Sequence, residues 1–338
     1  MSVTRGPRLP DSSERRSPIL VSVIDVVSPD ALESVRADLA VWRPVLDAVR
    51  AAHRLVGDPI AAPSGTLPVF LWPDRVVKLY APASFWGHDR SGFPDLEAER
   101  AALELLAGRL PVPVPALLGE GAVGSWRYLV MERVAGRPLE DLWSQTSRRA
   151  QFAALGELGA AVAAMHAIEP EAFPSTCADF ELFLAGQAAD VVAIHRAKGT
   201  ADSWLAPIAR FVADTPRGSS DRALLHTEIG PSHVLATATP HALTLHGMID
   251  WVETMTGDPE YDLAAVAFFV CRGDGGRLSA FLDGYGWTDE RGDALARRLM
   301  RYLLLHRYAP FRWLLAQRPV PGATTIDDLL TSWIGLAR

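Results

Sequence analysis

Apolar residues recur at two spacings along this chain, and the change of spacing divides it. Leu32, Val35, Leu39, Trp42, Val45, Leu46 and Val49 keep the three-to-four-residue interval of a helix with one buried face. Ser28-Pro29-Asp30 reads as its start, and Pro44 is expected to kink or restart it before it ends near Ala52. The run before it, Ile19 to Val27, is rich in β-formers. Ser64-Gly65-Thr66 forms a turn ahead of Val69-Phe70-Leu71, and Trp72-Pro73-Asp74 separates that strand from a second, Arg75 to Tyr80. Helical spacing returns over Asp95 to Arg109 through Leu96, Leu103 and Leu106. Pro111, Pro113 and Pro115 hold the next stretch extended. Trp126 to Arg133 is a strand, broken by Ala135-Gly136-Arg137-Pro138.

Beyond that break the helical period dominates. Helices are expected over Arg148 to Ile168, Phe180 to His195, Ala201 to Val212, Leu263 to Val270, Leu278 to Gly284, Arg291 to Trp313 and Ile326 to Leu336. Leu243 to Ile249 is strand-like. His166, ending a mostly apolar helix, reads as structural. Arg297, Arg298, Arg301, His306, Arg307 and Arg312 read as one polar face of the long helix. Strands early and helices late predict an α+β chain in two lobes. The expected division is a disordered leader over 1–18, a β-rich lobe with an N-terminal helical extension over 19–133, and a larger, mainly helical lobe over 134–338.

Composition narrows the classes of function. A chain of 338 residues, 49% hydrophobic, can bury two ordinary cores. No run of about 18 apolar residues is present, so no membrane span is expected. Cys177 and Cys271 are far apart, which fits a reducing cytoplasm better than a disulfide. A net charge of −7 argues against nucleic acid as a partner and is compatible with a cationic one.

The chemistry-bearing residues gather between Leu224 and Ala264. His226-Thr227-Glu228 is followed by the polar turn Gly230-Pro231-Ser232 and by His233. Ile249-Asp250-Trp251 closes the next strand, and Gly257-Asp258-Pro259-Glu260-Tyr261-Asp262 opens an apolar helix. A loop acid, a ligand-capable residue five positions on and a second acid at the end of a hairpin can hold a metal-bound nucleotide beside a hydroxyl. Lys78, in an apolar strand, is a candidate grip on phosphates, and Glu99, flanking a buried helical stripe, is its candidate partner.

Taken together these segments resemble the aminoglycoside phosphotransferase and choline-kinase-like family. The match runs over roughly residues 60 to 315: VVKLY at Lys78, the Glu99 helix, PVPVP, YLVMERVAGRPL, IDW at Asp250 and GDPEYDLA from Gly257. The segment from Val23 to Val45 is more loosely similar to the start of hygromycin B phosphotransferases. The resemblance implies a protein-kinase-like fold and ATP-dependent phosphorylation of a hydroxyl on a small molecule, either an aminoglycoside-like, cationic antibiotic or a related natural product. It implies Mg2+ on Asp250 and His233, phosphate contacts from Lys78 with Ser64 and Gly65, and Glu99 steadying Lys78. It further implies adenine contacts along Met131, Glu132 and Val134, and catalysis by Glu228 with His226 and Lys78. The chain departs from the family where HGD reads His226-Thr227-Glu228 and where the metal-binding asparagine reads His233. Two other readings accompany this one. In one, the acceptor is a Ser or Thr of a precursor peptide whose phosphate a partner lyase eliminates. In the other, the changed loop leaves a pseudokinase that binds nucleotide as a scaffold.

Overall fold

The computed structural model describes residues 28–87, 92–174, 179–218 and 222–336. The expected leader, the Ile19 to Val27 run and Cys177 lie outside the described residues. The chain forms two compact units. One holds the residues up to Gly92 together with Gly119–Leu129; the other holds Phe93–Leu118 and Val130–Arg338.

In the first unit the expected single helix is two, α1 (Pro29–Val35) and α2 (Leu39–His53). The restart comes before Pro44. Asp38 caps α2, its Oδ1 accepting the Ala40 amide at 2.8 Å, so side-chain capping at Asp38 sets the break and Pro44 sits within α2. A five-stranded sheet follows in the order β1 (Ile60–Ala61), β2 (Val69–Leu71), β3 (Arg75–Tyr80), β5 (Trp126–Glu132), β4 (Leu117–Val123). β2 and β3 are antiparallel, and Val69 is the register partner of Lys78. Trp42 of α2 packs edge-on against Trp126 at 5.0 Å between ring centroids and lies 6.3 Å from Phe70. All three are buried, which is how the amphipathic stripe of α2 finds its core.

The second unit begins with α3 (Pro94–Leu106) and includes a short strand β6 (Arg137–Pro138). α4 (Arg148–His166), α5 (Phe180–Ala189), α6 (Val191–Ala197) and α7 (Asp202–Asp214) follow. The helix expected through His195 is thus divided at Asp190. β7 (Ala223–Leu225) pairs antiparallel with β10 (Met255–Gly257), and β8 (Val234–Ala238) pairs antiparallel with β9 (Leu243–Met248). The chain closes through α8 (Glu260–Ala265), a π-helical turn Val266–Val270, α9 (Gly275–Tyr285), α10 (Asp293–Leu304), α11 (Phe311–Gln317) and α12 (Leu330–Ile334).

α4 and α9 approach backbone to backbone. A Cβ on Gly159 would lie 2.1 Å from the Phe281 carbonyl oxygen, and one on Gly284 would lie 2.0 Å from that of Gly156. Only hydrogen fits at these positions, so the alanine-rich helix owes its seat to its glycines.

The polar helix face expected over 297–312 is partly a buried network. Arg298 holds Glu260 through Nε at 2.9 Å and Nη2 at 2.8 Å, and the Arg301 Nε donates to the Val212 carbonyl at 3.2 Å. The helix expected to run through Trp313 ends at Leu304. Residues 305–310 form a loop that ends at Pro310, ahead of α11, which moves His306, Arg307 and Tyr308 off the helix. No helix of the described residues is long and apolar enough to cross a membrane.

Candidate active site

The β7–β10 and β8–β9 pairings bring the loop from His226 to His233 beside Asp250. Val234 is the register partner of Met248, and the Ile249 amide donates to the His233 carbonyl at 2.9 Å. The next residue on that strand is Asp250, so antiparallel pairing alone sets it against His233. The His233 Nε2 and the Asp250 Oδ2 are 3.7 Å apart. Asp250 has φ +69°. Its neighbour Trp251 is tied down twice, the backbone N–H donating to Glu99 Oε1 at 3.3 Å and the indole N–H to the Met248 carbonyl at 3.0 Å. Glu99 is 2% exposed, and within its own unit it fixes the backbone beside Asp250.

The other ring nitrogen of His233 decides its tautomer. Nδ1 lies 2.6 Å from the Glu228 carbonyl oxygen, which can only accept, so Nδ1 carries the proton. In a neutral ring Nε2 then offers a lone pair toward a carboxylate. Two such donors can share a cation, whereas a protonated ring would form an ion pair with Asp250. Their separation suits two ligands of one ion at ordinary metal–ligand lengths of about 2.0–2.2 Å. The pair therefore fits a divalent cation by donor chemistry. An imidazole beside a carboxylate is also a softer set than the oxygens Mg2+ favours. Among the described residues no cluster of three or more His, Cys, Asp or Glu forms a metal cage.

His226 is fully buried, and both of its nitrogens are engaged. Nε2–H donates to the Ile249 carbonyl at 3.1 Å, and Nδ1 accepts the Glu228 amide at 3.3 Å. Burial, with His233 nearby, lowers its pKa to about 4, so the ring is neutral near pH 7. His226 is built to hold the loop.

Sequence reasoning overlooked the residue that anchors this loop. Asp262, fully buried, accepts the amides of His226 at 2.9 Å and of Thr227 at 2.7 Å, one on each oxygen. The His166 Nε2 adds a third bond to Asp262 at 3.1 Å, and Nδ1 of the same ring accepts the Tyr285 hydroxyl at 2.9 Å. His166 is structural, as its helix-end position predicts, and its task is to orient Asp262. Thr227 has φ +67°, a left-handed backbone that β-branched residues rarely adopt. Besides the Asp262 bond, its Oγ1 donates to the Glu253 carbonyl at 2.9 Å, and its own carbonyl accepts from His306 Nε2 at 3.0 Å. The one warning in the sequence was a threonine at the middle of a loop triplet where the family has glycine.

Glu228 is half-buried and lines a cavity of about 310 Å³ with Pro231, Ser232, His233, His306 and Tyr308. Tyr308 is held by Glu253, its hydroxyl donating to Oε1 at 2.6 Å. Lys78 belongs to the first unit, on β3, where it is 6% exposed with Nζ 5.9 Å from the Tyr80 ring centroid. Ser64 and Gly65 form an exposed turn between β1 and β2, with Gly65 at φ +119°. Met131 is buried at the end of β5, Glu132 donates its amide to the Ala116 carbonyl at 2.9 Å, and Val134 follows half-buried.

Residues 66–298 match the sequence profile of the phosphotransferase enzyme family. The chain belongs to this family. Solved structures show the same fold at low identity. The GDP complex of aminoglycoside 2′-phosphotransferase-IIIa superposes with a TM-score of 0.63 at 17% identity, covering 81% of this chain and 94% of that one. The streptomycin–ATP complex of APH(2″)-IIa gives 0.57 at 14%, covering 77% and 88%. Macrolide 2′-phosphotransferase from Brachybacterium faecium gives 0.54 at 20%, covering 86% and 96%. The family is one of kinases, and this member has its α+β, protein-kinase-like fold: a smaller β-rich part and a larger helical one.

Proposed function

We propose that this phosphotransferase moves the γ-phosphoryl group of ATP to an alcohol hydroxyl of a small molecule seated in the cavity beside Glu228. The observation that carries the reading is the convergence of Glu228, His233 and Asp250 at the end of the β8–β9 hairpin, with Glu228 facing a cavity of about 310 Å³. That volume is at the small end for drug-sized ligands. The GDP and ATP complexes of related folds support a nucleotide as donor.

In this reading the acceptor oxygen attacks the γ-phosphorus and the bond to the β-phosphate oxygen breaks. ADP leaves, and the hydroxyl proton passes to the Glu228 carboxylate. Asp250 and His233 would hold one divalent cation, Mg2+ or a softer substitute. When bound, that ion neutralises charge on the transferring phosphoryl group. Lys78, with Ser64 and Gly65, supplies phosphate contacts, Glu99 steadies the backbone at Asp250, and Met131, Glu132 and Val134 meet the adenine. His226 positions Glu228 by accepting its amide. Neutral and sealed on both nitrogens, it takes no proton in the reaction.

Glu228→Gln keeps the shape and removes the charge. Phosphoryl transfer should fall at least about 100-fold, the ordinary contribution of a positioned base, with ATP affinity within about threefold of wild type. Labelled transfer from γ-phosphate to hydroxylated antibiotics, to Ser/Thr peptides and to water checks it. Full activity in Glu228→Gln removes Glu228 from the chemistry. Transfer to peptides alone moves the acceptor to a precursor peptide, and ATP binding without transfer to anything leaves a nucleotide-binding scaffold.

A further inference from the structure

The cavity beside Glu228 is not built for a polycation. Trp143, Phe268, Phe269 and Trp313 give it aromatic wall, and two guanidinium groups, Arg272 and Arg318, line it with the carboxylates Glu140 and Glu228. One of those acids is the proposed hydroxyl-orienting group. What remains for the rest of the acceptor is a flat apolar wall, one acid and two arginines.

The arginines belong to a cationic cluster short of counter-charge. Asp274, the nearby acid, is taken by Arg148, with contacts of 2.7 and 2.8 Å on its two oxygens. Arg277 turns instead to the Gln151 amide oxygen at 2.8 Å and lies 4.5 Å over the Trp143 ring. The Arg318 Nε donates to the Ser332 carbonyl at 3.0 Å. Among the described residues, none of Arg272, Arg277 and Arg318 forms an ion pair with a carboxylate. Burial, then Arg272 and Arg277, depress the pKa of Arg318, and burial depresses that of Arg277 against the opposing pull of Asp274. Asp274, shared with Arg148, offsets this only in part, so the cluster keeps a net positive charge.

The backbone that carries the cluster is itself unusual. The π-helical turn Val266–Val270 bears Phe268 and Phe269, and the Cys271 amide reaches back to the Val266 carbonyl at 2.8 Å. Arg272 follows at φ +58°. The Trp143 indole N–H is buried with no acceptor among the described residues. Aromatic wall and guanidiniums without a carboxylate partner together suit a flat ligand that brings an acceptor.

We propose that the acceptor is an aromatic alcohol bearing a carboxylate, which Arg272 and Arg318 receive while the hydroxyl lies at Glu228. The proposal rests on the kinase reading above and names the class of substrate for the same site. The carboxylate takes no part in bond making. It fixes which end of the molecule enters, and so which hydroxyl is presented.

Three alcohols on one scaffold test it: 6-(hydroxymethyl)-2-naphthoic acid, its carboxamide, and the corresponding aminomethyl compound. Calorimetry on the full chain should show the carboxylate binding about tenfold or more tighter than the amide, with the amine weakest. Arg272→Gln changes an exposed residue and should bring acid and amide to within about threefold of each other, chiefly by weakening the acid. Arg318→Lys keeps the charge and should retain the preference, whereas Arg318→Gln should lose it. Equal binding of the three, tighter binding of the amine, or no binding of the acid overturns the proposal. So does a Michaelis constant that Arg272→Gln raises for ATP and not for the acid, because the guanidinium then serves the nucleotide. A second arm follows labelled phosphate from ATP. Transfer to kanamycin with no preference for the acid sinks this inference and leaves the kinase reading standing. Selective binding of the acid with no transfer to any hydroxyl sinks the kinase reading itself.

Discussion

At the scale of single residues, the loop that distinguishes this chain combines strain with support. A left-handed threonine costs on the order of 1–3 kcal/mol, and a structure keeps one only where its surroundings over-determine the backbone. Asp262, Glu253 and His306 do so at Thr227, each through a hydrogen bond of 2.7 to 3.0 Å. The geometry that glycine supplies freely elsewhere is here imposed from outside. His233 is the second departure. Exchanging it for asparagine restores an oxygen ligand, so His233→Asn should shift the preference from Mn2+ or Co2+ toward Mg2+ by about tenfold in apparent affinity. Titrating each ion against ATP binding and turnover measures the shift. An unchanged ion preference, or a loss of activity with every ion, would mean that the imidazole has a task other than ligation.

At the scale of elements, what was legible followed from local rules. The interval from Glu228 to His233 and the strand ending at Asp250 could be read because a hairpin's register follows from its length. The Arg75–Tyr80 strand and the α3 helix likewise announce themselves by periodicity. What stayed hidden depended on partners remote in sequence. Nothing about Arg298 on a helical face says that Glu260, 38 residues away, will meet it in the interior. Nor does Asp262 show, from its place in an acidic run, that it will bind two amides 35 and 36 residues earlier. The α4–α9 contact is of the same kind, and it can be tested. Gly159→Ala forces a methyl onto the Phe281 carbonyl and should destabilise the protein by about 1–3 kcal/mol despite alanine's better helix propensity. Gly186 on α5 has open space around it, so Gly186→Ala should instead gain up to about 1 kcal/mol. Thermal or urea denaturation of the pair separates steric contact from propensity.

At the scale of the whole molecule, buried histidines tie stability to pH. His226 and His306 have pKa values lowered by burial from 6.5 to about 4, and His195 is lowered for the same reason. The unfolded chain therefore binds more protons than the native one between about pH 6.5 and pH 4. Their contribution to stability is fully present above pH 6.5 and is lost as the pH falls toward 4, at up to about 1.4 kcal/mol per pH unit for each ring. Asp258 and Glu260 act in the opposite sense. Burial raises their pKa values, so their protonation favours the native state and softens the loss at the acid end. Urea midpoints from pH 8 to pH 4.5 should fall most steeply below pH 6.5. Replacing His306, which touches the loop through the Thr227 carbonyl, with glutamine should flatten that part of the curve.

The order in which a ribosome makes the chain adds a consequence of how the two units share it. The sheet of the first unit places β5 next to β3, and β5 starts at Trp126, well after β3 ends at Tyr80. Between them the chain enters the second unit at Phe93 and leaves it again after Leu118. Three emerging strands therefore wait with one edge unpaired until β4 and β5 follow. Meanwhile α3, with Glu99, emerges long before the Asp250–Trp251 turn whose amide it holds. Neither unit is a contiguous fragment, so a stop codon or a protease cut between them releases no self-sufficient piece. The non-local pairing needed to complete either one belongs to the slow end of folding, where exposed strand edges invite association.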